Sequence, residues 1–487
     1  MLLTVASFPR AFSYFSLDSL LSYCSANERN AMPGGMMNSC IDNHVALPWE
    51  IETFATLALL PEKHNPCAML RDEFNEMMNF IRANCCPKPC DFAEATERIS
   101  YQMAPLQFQF QEMPIVRFLR YEYFYSLQND KVSMPSEIVR RFRVSADEIL
   151  TFLYLILMVE SSGGSLLPLV SRLCNVCGKK ACRMIEKVLR VVSVSREEFR
   201  RKQKRLIEES ESGWRTAISL LETYPVVRVS KRMYVPVPWL LNQALTVNLV
   251  RRLTIDDKLL RNMFGKEVLE GYLLHLFRSA SCYELVSGER IYKRRTKSET
   301  TLTPDVVITD GDKILLVDSK ASEPSWLLRI LKDDAKNEIV RIYSEHLVKL
   351  IKRMGDVLEG YVPNLTCAKA NLFGIVCVYR DGYVERDRVY NAAFDRLGYE
   401  DEETRFYFKT HVAIVGLYEI ELFCYYGVSL FETLKSRTTD SDAFKSVMLD
   451  RAALNGAKLT IKAQQTMQRY AREVPELLLD ECKHFVA

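Results

Sequence analysis

The feature that most constrains this chain is a short acidic hairpin, residues 303–320, which reads TPDVVITDGDKILLVDSK. Val306, Val307 and Ile308 follow Pro304-Asp305 with the β-branched run of a strand. Thr309-Asp310-Gly311-Asp312 has the composition of a tight turn, because Asp and Gly tolerate positive φ. Lys313 to Lys320 is the return strand. Side chains alternate along a strand, so Asp318 and Lys320 share a face, and the hairpin sets Asp305 beside Asp318. Two carboxylates and an ammonium are therefore expected to converge at one end of a sheet.

That combination suits phosphodiester hydrolysis. Hard carboxylate oxygens bind Mg²⁺ or Mn²⁺, and Mg²⁺ keeps some of its waters. The metal polarises the phosphoryl oxygen and lowers the pKa of a bound water. A lysine on the same face orients or helps deprotonate that water and offsets transition-state charge. Two acids clustered in a partly buried site also need a cation to stay ionised.

Pro304-Asp305 followed by Asp318-Ser319-Lys320 resembles the signature of the PD-(D/E)XK, or restriction-endonuclease-like, nucleases over roughly residues 255–430. The resemblance implies that Asp305 and Asp318 hold the metal and that Lys320 is the catalytic lysine. It also implies a further acid on the preceding helix. Glu267 and Glu270 compete for that role. Val268, Leu269, Tyr272, Leu273 and Leu276 form the apolar stripe of this helix. Glu270 lies on the border of the stripe and Glu267 opposite it, so Glu270 is the expected third acid and metal ligand. The helix after Lys320 often supplies one more polar site residue in this superfamily; Lys336 and Tyr343 are the candidates.

Arg290, Lys293, Arg294, Arg295 and Lys297 crowd the stretch before Pro304 and could track phosphates. Tyr292 among them could stack on a base. Elsewhere the net charge of only +3 does not by itself point to nucleic acid, so any basic surface must be local.

The order of elements from about 255 is helix, hairpin, strand, helix, strand, which predicts a mixed central sheet flanked by helices. A helix over 257–280, strand-like runs at 283–293, 304–309 and 313–320, a long helix over 326–354, and strands at Leu372–Tyr379 and near His411–Leu417 make up this part. Before it, 135–245 is helical in character. Ser145-Ala-Asp-Glu148 forms a capping box ahead of the apolar run Ile149–Val159, and Ser195-Arg-Glu-Glu198 repeats the device. The stretch from Tyr224 reads as a short strand or hairpin followed by a connector. The fold class expected is thus α+β: a mainly helical region over 1–245 for substrate or partner recognition, a nuclease-like domain over 250–435, and a helical extension over 436–487. Residues 1–130 yield no clear pattern.

The 14 cysteines are scattered, as expected of reduced thiols. Cys174, Cys177 and Cys182 have half the spacing of a zinc knuckle, with no histidine nearby to complete four ligands. The longest apolar run, Ile149–Val159, is too short to cross a bilayer. There is no signal-peptide pattern, so a cytoplasmic location and no membrane partner are expected. A phosphate loop of the G-x-x-x-x-G-K-[ST] type is also lacking.

The expected activity is a Mg²⁺- or Mn²⁺-dependent endo- or exonuclease acting on DNA. The alternatives are cleavage of RNA, or a non-catalytic nucleic-acid-binding or assembly protein that keeps the nuclease fold. The helical half could bind a protein partner or a second copy. By analogy alone, such a nuclease joined to a large unrelated region suits genome defence or mobile-element biology.

Overall fold

The computed structural model describes residues 7–26, 46–85, 97, 99–103, 112–162, 178–210, 213–215, 217–230, 232–288, 291–292, 303–321, 323–435 and 458–479. The fold is mixed α/β, mostly helical, with a three-stranded and a five-stranded sheet.

Helix α1 (Pro114–Ser126) begins on a proline, whose missing N–H costs nothing at the first helical position. Helix α2 (Ala146–Ser162) starts on the expected capping box: Glu148 N donates to Ser145 Oγ at 3.1 Å, and Ser145 N donates to Glu148 Oε2 at 2.7 Å. At the second expected box only the serine half forms, with Glu198 N donating to Ser195 Oγ at 3.2 Å, while the Glu198 carboxylate pairs with Lys202. The expected hairpin after Tyr224 is present. Strand β1 (Ser193–Ser195) runs parallel to β2 (Val226–Val229), which turns back antiparallel into β3 (Arg232–Tyr234). Residues 7–26 and 46–85, which offered no sequence pattern, fold as short helices around Phe8, Phe12, Phe54 and Phe74, and this core also takes in Trp214 and Val227.

The helix expected over 257–280 is one helical stretch with a π segment at Phe264–Leu269 that leads into α3 (Glu270–Ala280). Strand β4 (Leu285–Gly288) is shorter than the run expected over 283–293. The hairpin follows as β5 (Val306–Asp310) and β6 (Lys313–Lys320), joined through Gly311 at φ +59°. The helix expected over 326–354 is broken: a single turn at Trp326–Arg329 is separated from α4 (Asp333–Leu358) by Leu331, whose φ is +60°. Strands β7 (Leu372–Val378) and β8 (Val412–Gly416) precede α5 (Leu417–Tyr426).

The large sheet has the order β4-β5-β6-β7-β8. Its first three strands form an antiparallel meander, and β6, β7 and β8 are parallel. Every residue of β7 is buried, which suits a central strand covered on both faces. On one face Ile314, Leu316, Val376 and Val378 pack with Leu347, Leu350, Ile351 and Met354 of α4. Gly374 permits this approach, since a β-carbon there would lie 2.9 Å from the Met354 sulfur. On the other face Val306, Ile308, Leu315 and Val317 pack with Tyr272, Leu273 and Leu276 of α3 and Ile420 of α5.

This second core does not stop at residue 250. It continues through Phe124 of α1 and Phe152 of α2. A buried network ties the halves together: Arg120 donates to Glu421 at 2.5 Å, Tyr272 donates to the same carboxylate at 2.7 Å, and the Tyr121 and Tyr379 hydroxyls are 2.9 Å apart. Among the described residues no helix is long and apolar enough to cross a membrane.

Candidate active site

Strand register builds the site. Val306 pairs with Val317, so the next positions outward are Asp305 and Asp318 at the open end of the β5–β6 ladder. Alternation along β6 sends Asp318 and Lys320 to the α4 face, with Ile314 and Leu316. It sends Ser319 to the α3 face, with Val317. As expected, Asp318 and Lys320 share one side of the sheet.

The two acids nevertheless have different partners. Asp305 Oδ2 accepts from the Ser319 backbone N–H at 2.6 Å and from the Ser319 hydroxyl at 2.7 Å. This draws its carboxylate across the strand end toward Ser319. Asp318 is only 4% exposed and is ion-paired with Arg353 of α4, itself 4% exposed. Burial raises the Asp318 carboxyl from its ordinary 3.8 to about 6; the Arg353 guanidinium opposes the rise and the Asp305 charge adds to it.

Helix α4 contributes a polar stripe. His346, Lys349 and Arg353 are spaced by three and four residues and so lie on one helical face. Lys349 acts electrostatically on both Asp318 and Lys320 and Arg353 on Asp318, while His346 feels the charge of Lys320. Half-burial lowers the Lys320 ammonium, and Lys349 beside it lowers it further, while Glu345 opposes the shift. Burial, then Lys320, Lys349 and Arg353, push His346 down to about 4, so its imidazole is neutral at physiological pH. The site is therefore two carboxylates facing a cluster of cationic groups, with one lysine eased toward its neutral form.

The remaining expected residues lie elsewhere. Glu270 is half-buried at the start of α3, a helix that packs on the face opposite Asp318. Among the described residues no three His, Cys, Asp or Glu side chains come together to hold a metal, so Glu270 does not complete a triad with Asp305 and Asp318. Glu267 pairs with Lys131 at 2.8 Å. Lys336 is buried against Glu97 at 2.9 Å and Asp333 at 2.7 Å. It precedes Arg353 on α4 by 17 residues, about 25 Å of helix. Tyr343 is also buried, donates to Arg380 O at 3.3 Å, accepts from Gly382 N at 2.9 Å, and lies about 15 Å of helix from Arg353. Neither joins the acid pair. Tyr292, the expected stacking residue, is buried and donates to Arg353 O and Asp356 Oδ2, both at 3.1 Å. Arg290, Lys293, Arg294, Arg295 and Lys297 lie outside the described residues, as do Cys174 and Cys177; Cys182 is half-buried.

The donor set suits a hard cation in kind. Mg²⁺ is commonly held by one or two carboxylates, with waters and substrate phosphates filling the other positions. Asp305 and Asp318 supply that much. A cation at Asp318 must share its carboxylate with Arg353 or displace the guanidinium.

Comparison with known proteins finds no matching family model, no similar curated protein and no similar solved structure.

Proposed function

We propose that the protein is a metal-dependent nuclease that hydrolyses phosphodiester bonds in DNA, with Asp305, Asp318 and Lys320 at its active site. The observation that carries this reading is the register: Asp305 and Asp318 are opposed at the strand end, and Lys320 stands on the same face two residues beyond Asp318. The mixed sheet between helical layers agrees with the restriction-endonuclease-like fold that the hairpin resembles.

Asp305 and Asp318 would hold Mg²⁺ or Mn²⁺. When bound, the metal would polarise the scissile phosphoryl oxygen and make its water more acidic. Lys320, half-buried and lowered by Lys349, is poised to accept or return a proton at Nζ. Lys349 and Arg353 place positive charge beside Asp318, which would offset charge on a bound phosphate. Ser319 fixes Asp305 through two hydrogen bonds, which limits the rotamers open to that acid.

One observation favours a second reading. Arg353 occupies an oxygen of Asp318 in a buried ion pair, an arrangement that serves a structural carboxylate as well as a catalytic one. On that reading the protein binds nucleic acid without cutting it. Incubation with plasmid DNA, single-stranded DNA and RNA, each with Mg²⁺ or EDTA, separates the two. Mg²⁺-dependent cleavage lost in Asp318→Asn and Lys320→Ala supports the enzyme. Binding without cleavage in every arm leaves the second reading.

A further inference from the structure

A cavity of about 440 Å³ lies off the carboxyl ends of β7 and β8; Asp305, Asp318 and Lys320 do not line it, though the Tyr379 N–H on its wall donates to the Lys320 carbonyl at 2.9 Å. Its sheet-side wall is Tyr379 to Tyr383 and Gly416 to Glu419, and its other walls include Asn248 and Arg251 of the helix Val247–Thr254. The crevice beyond the carboxyl ends of parallel strands is where open α/β sheets bind ligands. The volume is within the range of small-molecule sites.

The charges on its walls are mostly matched inside the protein. Arg117 pairs with Glu112 at 3.2 Å, Arg120 with Glu421 at 2.5 Å, and Arg329 with Glu222 at 2.7 Å. Arg252 donates to Val191 O at 2.9 Å and lies over the Phe142 and Tyr224 rings. Glu419 accepts from Gly416 N at the start of α5. Two guanidinium groups on the wall, Arg251 and Arg380, make no hydrogen bond or ion pair among the described residues. Glu323 is the carboxyl that senses both, and burial raises it toward its neutral form. Guanidinium forks of this kind match phosphate in geometry and charge.

The wall also carries backbone strain. Tyr383 has φ +50°, a left-handed conformation unfavourable for a bulky residue. It is held there by its own N–H donating to Asp381 Oδ1 at 2.8 Å, while Asp381 clamps Arg386 at 2.5 Å. Strain maintained by such a brace is characteristic of ligand-binding segments. Tyr379, Tyr383 and Tyr418 bring aromatic surface to the same wall.

We propose that this cavity binds a nucleotide, with its phosphates on Arg251 and Arg380 and its base against the tyrosine wall. The proposal does not depend on the nuclease reading, since it uses none of the same residues. The test is isothermal titration of full-length, EDTA-treated protein with ATP, GMP, inorganic pyrophosphate and adenosine. A nucleotide is expected to bind, pyrophosphate to bind at least about tenfold more weakly, and adenosine not to bind. Arg251→Ala and Arg380→Ala should each weaken nucleotide binding by about tenfold or more, and Arg380→Lys by less. Lys320→Ala should leave it unchanged. Thermal melts of each variant show that the fold is intact, and nucleotide should raise the melting temperature of the unsubstituted protein and of Lys320→Ala alike, and of Arg251→Ala and Arg380→Ala less. Failure of every nucleotide to bind at millimolar concentration overturns the proposal. So does binding unaffected by both arginine substitutions in folded protein, or binding lost with Lys320→Ala. Pyrophosphate binding as tight as nucleotide overturns the assignment of the tyrosine wall.

Discussion

The guanidinium of Arg353 and the carboxylate of Asp318 form an ion pair across the face of the large sheet, with almost no exposure of either side chain. Removing one partner of such a pair strands a buried charge. Arg353→Ala is therefore expected to destabilise the metal-free protein by about 3–5 kcal/mol. If Asp318 also holds a divalent cation, Mg²⁺ should recover more stability in the variant than in the unsubstituted protein. Urea denaturation with Mg²⁺ and with EDTA measures both; a variant as stable as its parent contradicts the structural role of the pair.

The raised Asp318 carboxyl gives a pH dependence with a definite sign. Its ordinary value is 3.8 and its value in the fold is about 6, so folding favours the protonated form. The stabilisation this brings is complete below pH about 4 and is lost as pH rises through 6. In EDTA, Asp318→Asn should lose this component, so its stability relative to the parent should be greater at pH 7 than at pH 4. Cleavage at subsaturating Mg²⁺ should move the other way, rising with pH as the carboxylate ionises and can hold the metal. Thermal melts at the two pH values check the first expectation and a pH–rate profile the second. Equal stability differences at both pH values count against the buried-acid account.

Glu270 offers a test of geometry against pattern. The helix stripe singles it out as a third metal ligand, yet α3 covers the face of the sheet opposite Asp318 and no three-ligand cluster forms among the described residues. Glu270→Gln should change Mn²⁺ affinity by less than about tenfold, whereas Asp318→Asn should reduce it by more, as expected when a direct ligand is lost rather than a supporting group. Titration calorimetry with Mn²⁺ compares them. Equal losses would restore Glu270 to the metal.

Arg120 and Glu421 are both buried and join α1 to α5 across the joint core. Arg120→Ala should cost about 3–5 kcal/mol of stability, because Glu421 would remain buried among Tyr272 and Tyr425 without its cation. For the same reason a fragment of residues 250–435 should not fold by itself: removing α1 and α2 uncovers Tyr272, Leu273 and Ile420. Circular dichroism and urea titration of the variant and the fragment test both. Cooperative unfolding of the isolated fragment would show that the two halves are separable.

The hairpin was legible in the sequence because its information is local. The two-residue period fixed the common face of Asp318 and Lys320, and Gly311 allowed the turn. The Ser145–Glu148 cap was legible for the same reason. Arg353 was not, since it meets Asp318 from 35 residues away and only the docking of α4 on the sheet brings them together. A signal was present: His346, Lys349 and Arg353 interrupt the apolar flank formed by Leu347, Leu350, Ile351 and Met354 at helical spacing. Residue type alone points to Lys336 and Tyr343, and helix length carries them past the acids. Leu331 breaks the long helix in a left-handed conformation that a leucine does not advertise. The core shared across residue 250 depends on packing between distant segments and leaves no local pattern.

On the proposed reading, Asp318 and Lys320 form a phosphodiester-cleaving site. The most direct measurement is the single-turnover cleavage rate of end-labelled DNA with Mg²⁺, comparing the unsubstituted protein with Asp318→Asn and Lys320→Ala, each first shown to be folded. The unsubstituted protein should cleave, EDTA should abolish the cleavage, and each variant should be slower by at least about a hundredfold, the range expected when a group that serves the transition state is removed. Cleavage that persists in both folded variants, or in EDTA, contradicts it.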